Sequence, residues 1–131
     1  MLCDILYNMK TVAIIGASKD RKKFGNKAVR AYINAGWRVF PVNLKEKQIE
    51  ELETYQSIVD IPERLNRVSV YLAPKAGMMV LNDIVRKKPK EVFLSPGSES
   101  DELLKKAREK GINPIVVCSI VDIGHSPAEY N

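Results

Sequence analysis

The chain reads as an α/β protein: one Rossmann-like domain with an open, parallel five-stranded sheet and helices on both faces. Three observations predict this. Continuous β-branched runs such as "TVAII" lack the alternation of a half-exposed strand and suit strands buried on both faces. Segments with apolar residues every three or four positions follow most of these runs. Glycine or proline punctuates nearly every junction. The length of 131 residues fits one domain, and the 45% apolar share is enough to build a core.

"TVAIIG" (11–16) is the first predicted strand, ending at a glycine. Phe24, Ala28, Val29, Tyr32 and Ile33 then recur at helical spacing, and Gly36 stands where a left-handed cap closes that helix. "WRVFPV" (37–42) is the second strand; Pro41 implies an unneeded backbone donor or the strand's end. Residues 44–66 are charged and irregular, with room for a short helical turn before Pro62. "RVSVYLA" (67–73) is the third strand, and Pro74 opens a helix marked by Ala76, Val80 and Ile84. "EVFLS" (91–95) is the fourth strand. Ser98 with Asp101 resembles a capping box ahead of Leu103, Leu104 and Ala107, and Gly111 ends that helix. "NPIVVCSI" (113–120) completes the sheet. Residues 1–10 read as an extension and 122–131 as an irregular tail. Right-handed crossovers make a Rossmann-like strand order the expected one.

The net charge of +5 favours an anionic partner. Stacking readout of nucleic acid is not expected, because Phe24 is the sole aromatic among the loop's cations. No apolar run approaches the roughly 20 residues of a membrane helix. Cys3 and Cys118 give neither a disulfide framework nor a metal spacing, which suits a cytoplasmic setting, and Cys118 is expected in the core. Trp37 or Tyr71 could sit in the core or at a contact, so a homo-oligomer or protein partner stays open.

Ligands of open parallel sheets settle at the carboxyl ends of the strands. The predicted segments there are "GASKDRKKFGN", "NLKEK", "APKAG" and "SPGS". In the first, Gly16 permits a tight exit, Ala17 and Ser18 are small, and the helix tip at Gly25 and Asn26 carries unpaired N–H groups. Lys19, Arg21, Lys22, Lys23 and Lys27 raise the local potential. A phosphate site is the expectation. The dinucleotide fingerprint is broken, because Ser18 stands where a second glycine would be. After the second strand an NAD site would want a carboxylate; this chain has Asn43 and Lys45. A lysine there suits a phosphorylated ribose, carried by coenzyme A on the 3′ oxygen and by NADP on the 2′ oxygen.

"VAIIGAS", the basic loop, "FGNKAVRAYINAGWRVFPVN", "LK", "SIVDIPERLNRVSVYLAP" and "EVFLSPGS" together resemble the small stand-alone coenzyme A-binding proteins, themselves similar to the nucleotide-binding domain of succinyl-CoA synthetase alpha subunits. The resemblance implies a site for CoA or an acyl-CoA, held by its ADP 3′-phosphate end. It implies Gly16, Ala17 and Ser18 at the pyrophosphate, Asn43 and Lys45 at the adenosine and its 3′-phosphate, Ala73 and Pro74 beside the adenine or pantetheine, and Ser95, Pro96 and Gly97 along the pantetheine arm. The chain departs from the family in reading Leu44 where proline is usual, and "CSIVDIG" where a D-x-C-P stretch is usual. The second departure leaves the thiol end of a bound CoA without an obvious partner.

Catalytic machinery is not expected. His125, the single histidine, lies in the tail, so neither a metal site nor a Ser-His-Asp set is readable. Met78 and Met79 are expected to pack as helix filler. The two readings carried forward are a non-catalytic binding or sensing module for CoA, and an NADP-linked oxidoreductase.

Overall fold

In the computed structural model, which describes residues 9–131, β1 (Thr11–Ile15) is an interior strand of the sheet, buried along its whole length. Helix α1 (Phe24–Asn34) follows, then β2 (Arg38–Val42). A small hairpin, β3 (Gln48–Ile49) and β4 (Leu52–Glu53), and a 3₁₀ turn at Ile58–Asp60 occupy the connection. β5 (Arg67–Val70), α2 (Pro74–Lys87), β6 (Glu91–Leu94), α3 (Asp101–Glu109), β7 (Ile115–Val116) and the short α4 (Ser119–Asp122) complete the alternation.

The five long-range strands pair in parallel in the order β2-β1-β5-β6-β7. Beyond β2 the sheet gains one more residue. Tyr55 bridges Val42 in parallel, its N–H donating to Pro41 O and its carbonyl accepting from Asn43 N, each at 3.0 Å. The chain thus runs outward from β1 through β2 to Tyr55, then returns past β1 to build β5, β6 and β7. This is the Rossmann-like order with its third strand reduced to a single residue. Pro41 turns its carbonyl to this outer side, so its missing donor costs the β1 ladder nothing.

Helices cover both faces, and alternation along the strands sorts the core into two clusters. Val12 and Ile14 pack with Ala28, Val29, Tyr32 and Ile120 on the α1 side. Ala13, Ile15, Val68, Val70, Val92 and Leu94 pack with Leu81, Ile84 and Leu103 on the α2–α3 side. Two glycine caps stop the helices as expected. After α1, Gly36 N donates to Ile33 O and Trp37 N to Tyr32 O; after α3, Gly111 N donates to Arg108 O and Ile112 N to Ala107 O. Both are the double-bonded Schellman arrangement, with φ +85° at each glycine.

Four local expectations are corrected. The last strand is only Ile115–Val116, because Ser119 and Ile120 are drawn out of it. The Ser119 hydroxyl bonds Ser69 Oγ at 2.7 Å and Tyr71 OH at 3.0 Å, and Ile120 is fully buried on the α1 side. Cys118 is therefore half-buried at the start of α4 rather than a core strand residue. The tail is ordered: Pro127–Tyr130 forms a 3₁₀ turn with a capping box of Ser126 and Glu129, and Tyr130 is buried against α1. The α3 cap is Ser100, whose hydroxyl accepts from Leu103 N at 3.1 Å; Ser98 lies in the preceding turn. Cys3 and most of the N-terminal extension lie outside the described residues.

Candidate functional site

The carboxyl ends of β1 and β5 flank the point where strand order reverses. Gly16 leaves β1 there with φ +87°, and a Cβ on it would meet Tyr71 O at 2.7 Å. Only glycine fits this crossing. Gly25, in the first turn of α1, lies just as close to the loop: a Cβ on it would collide with the Gly16 carbonyl oxygen. The two glycines let the β1 exit, the β5 exit and the α1 tip converge. No side chain caps α1 at Lys23, which leaves its N-terminal backbone as a donor surface for an anion.

Polar side chains of the predicted set hold this loop from behind. Asn43 braces the loop: its Nδ2 donates to Ala17 O at 2.9 Å, and its Oδ1 accepts from Lys45 N at 2.7 Å and Glu46 N at 2.8 Å. Asn26, fully buried, donates to Ser18 O at 2.8 Å and to Glu50 Oε2 at 3.1 Å, while its Oδ1 accepts from Arg30 Nε at 2.7 Å. Ala17 is buried in the α1-side core. Ser18 Oγ accepts from Asp20 N at 3.0 Å and keeps its own proton to donate.

Several of the loop cations already have partners. Lys19 lies 3.7 Å from Glu46, Arg21 lies 3.2 Å from Glu50, and Lys27 Nζ donates to Asn131 Oδ1 at 2.6 Å. Glu46 and Glu50 come from the irregular segment that the sequence leaves unassigned. The β3–β4 turn is built from Glu50 and Glu51 at φ 49° and 66°, a left-handed pair without glycine. Lys45, exposed, makes no ion pair among the described residues.

Lys45 stands on the lip of a cleft of about 520 Å³ at this edge of the sheet, within the range of small-molecule sites. Ile15, Val42, Leu72 and Ile58 form an apolar interior, with Ala76, Met79 and Val80 of α2 as one wall. Met79 is 84% exposed, so it lines the cleft mouth and is not core filler; Met78 packs against the core. Gln56, Ser57 and Asp83 are the polar members that sequence reasoning missed. Their signal is visible in part, since Ala76, Met79, Val80 and Asp83 form a helical stripe beside the buried one.

The remaining candidates border the same edge. Ala73 is the exposed residue preceding α2, and Pro74 is its first helical residue. Ser95 accepts from Ser98 N at 2.8 Å in the turn after β6, and Gly97 is exposed with φ +98°. Tyr71, next to Gly16, points to the opposite face, where burial pushes its phenol up to about 12 against opposing hydrogen bonds from Ser119 and Ser69. His125 Nδ1 lies 3.1 Å from Tyr130 OH and 3.3 Å from Glu129 Oε2, which ties the ring into the C-terminal turn. Among the described residues no cluster of His, Cys, Asp or Glu could hold a metal ion, and no helix is long and apolar enough to cross a membrane.

An apolar cleft, a glycine-built crossing and an uncapped helix tip, all at a switch point, define a nucleotide-binding α/β domain. Residues 10–123 match the family model described as "CoA binding domain", and the chain belongs to that family. It is 29% identical to the alpha subunit of acetate–CoA ligase [ADP-forming] I of Pyrococcus furiosus, across 100% of this chain and 32% of the relative. The chain thus spans about a third of that subunit's length. Over 54% of the chain and 11% of the relative it is 36% identical to acetate–CoA ligase [ADP-forming] I of Archaeoglobus fulgidus. Among solved structures, a conserved hypothetical protein of P. furiosus superposes with a TM-score of 0.79 at 27% identity, covering 87% of this chain and 99% of that one. A Thermus thermophilus protein, cell-free ID.343, gives 0.79 at 29% identity, covering 92% of both.

Proposed function

We propose that this chain is a non-catalytic holder or sensor of coenzyme A or an acyl-CoA, gripping the ligand by its ADP 3′-phosphate end. The observation that carries the reading is Lys45, a cation without an ion-pair partner among the described residues, on the lip of an apolar cleft at the switch point. In this reading the adenosine occupies the cleft and the 3′-phosphate meets Lys45. The pyrophosphate crosses the backbone of Gly16–Ser18 toward the α1 tip, with Lys19 at its flank. The pantetheine arm leaves past Ala73 and Pro74 toward Ser95 and Gly97. Asn43 and Asn26 contribute by fixing the loop through Ala17, Ser18 and their neighbours, and Asn43, which lines the cleft, keeps one amide hydrogen to donate. Membership of the CoA binding domain family supports the same ligand.

Thermal shift with CoA, dephospho-CoA, NADP, NAD and ADP tests this. A ligand at a hundred times its Kd stabilises the fold by about 2.7 kcal/mol. CoA is expected to raise the melting temperature well above dephospho-CoA, and Lys45→Ala to erase the gap. A hydrogen bond to a charged group is worth about 1.5–3 kcal/mol, so CoA affinity should fall roughly tenfold to a hundredfold in that variant. A response to NADP with none to CoA refutes the proposal.

A further inference from the structure

The cleft has a feature that phosphate binding does not use. Asp83, in the third turn of α2, places a carboxylate in a lining otherwise dominated by Ile15, Val42, Ile58, Leu72 and Val80. It forms no salt bridge among the described residues. Its one hydrogen-bond partner among them is the Ser57 hydroxyl, which reaches Oδ2 at 3.2 Å. Ser57 Oγ also accepts from Val59 N at 3.3 Å, so its single proton is directed at Asp83 and the carboxylate is held in place. A carboxylate has about four acceptor sites, and here one is filled. Half-buried beside apolar walls, such a group is costly unless a donor completes it.

The cleft is therefore bipolar, with a cation at the lip, apolar walls, and an acceptor on α2. A ligand that matches all three carries a phosphate, a flat apolar body and an exocyclic amine. We infer that Asp83, steadied by Ser57, is the base-specificity residue of the cleft, accepting from the 6-amino group of adenine and rejecting 6-oxo purines, whose oxygen would face the carboxylate. The inference rests on the CoA reading of the same cleft and adds to it the identity of the base-reading group.

Calorimetric titration with CoA, adenosine 3′,5′-bisphosphate and inosine 3′,5′-bisphosphate separates the two claims. The wild type should prefer the adenosine compound by about tenfold to a hundredfold, the value of one charge-assisted hydrogen bond. Asp83→Asn keeps the shape but can donate as well as accept, and should bring the preference below threefold while CoA still binds. Asp83→Ala, which leaves no acceptor, gives the same answer if the amide variant does not fold. Equal wild-type affinity for the two bisphosphates, or a preference that survives both substitutions, overturns the assignment to Asp83; CoA binding that still depends on Lys45 then leaves the parent reading intact. Failure of the wild type to bind either CoA or adenosine 3′,5′-bisphosphate overturns both.

Discussion

The packing of Gly25 against Gly16 yields the most demanding prediction. An added Cβ at Gly25 would run into the Gly16 carbonyl oxygen, with the Gly16 carbonyl carbon at 3.1 Å and Ala17 Cα at 3.4 Å. All three are backbone atoms, so no side chain can rotate aside. Either α1 or the loop must move by a good fraction of an ångström. Overpacking of a tight site costs roughly 1–3 kcal/mol, and a collision with backbone belongs at the upper end. At about 4 °C per kcal/mol for a domain of this size, Gly25→Ala should lower the melting temperature by roughly 10 °C. The displaced loop should also weaken CoA at least tenfold. Gly36→Ala is the control. Gly36 has φ +85° but nothing within 4 Å of the added carbon, so it should cost about 1–2 kcal/mol of backbone strain and leave CoA affinity unchanged. Thermal denaturation with and without CoA reads both effects. If Gly25→Ala melts within 2 °C of wild type and binds CoA normally, the convergence of loop and helix is not what shapes the site.

Three further outcomes are expected. Tyr71 ionises near 10 in the unfolded chain and is pushed up to about 12 when folded, so its contribution is whole below pH 10 and is lost as pH rises through 12; Tyr71→Phe should flatten the alkaline arm of the unfolding free energy, read by chemical denaturation at each pH, by about 2–3 kcal/mol. Glu51→Gly should stabilise the fold by about 1 kcal/mol in chemical denaturation, because a left-handed φ of 66° is strained for glutamate and free for glycine. Asn43→Ala strips Ala17 O, Lys45 N and Glu46 N of their side-chain partner, and should cost about 1–3 kcal/mol together with most of the CoA-induced thermal shift.

The fold was legible because local signals and tertiary packing agree along most of the chain. β1 is continuous and apolar because both faces are covered, and the glycines at 36 and 111 occupy the caps that the helix spacing implied. Legibility failed where two roles share one string of residues. "VVCSI" is as apolar as a strand, yet the Ser119 hydroxyl is claimed by Ser69 and Tyr71 and Ile120 by the α1-side core, so the chain leaves the sheet after Val116. The tail offered no periodicity. Its order comes from Arg30 donating to Tyr130 O at 2.9 Å and Asn34 to Tyr130 OH at 3.1 Å, partners about a hundred positions away that no local pattern announces.

At the candidate site, the sequence pointed to the strand ends and to Lys45, but not to the partners that the loop's cations find in the fold. Counting cations made the 19–27 loop look like the main phosphate attractor. The fold pairs Lys19 with Glu46, Arg21 with Glu50 and Lys27 with Asn131, so much of that charge is neutralised or engaged before any ligand arrives. Those partners come from the charged segment after β2 and from the C-terminus, and pairing of this kind depends on where the backbone carries each residue. What the loop retains is geometric: two glycines in contact and an uncapped helix tip. In the proposed reading, specificity rests on single residues of other elements, Lys45 beyond β2 and Asp83 on α2. They face one cleft across 38 positions of sequence, and only the switch-point topology brings them together.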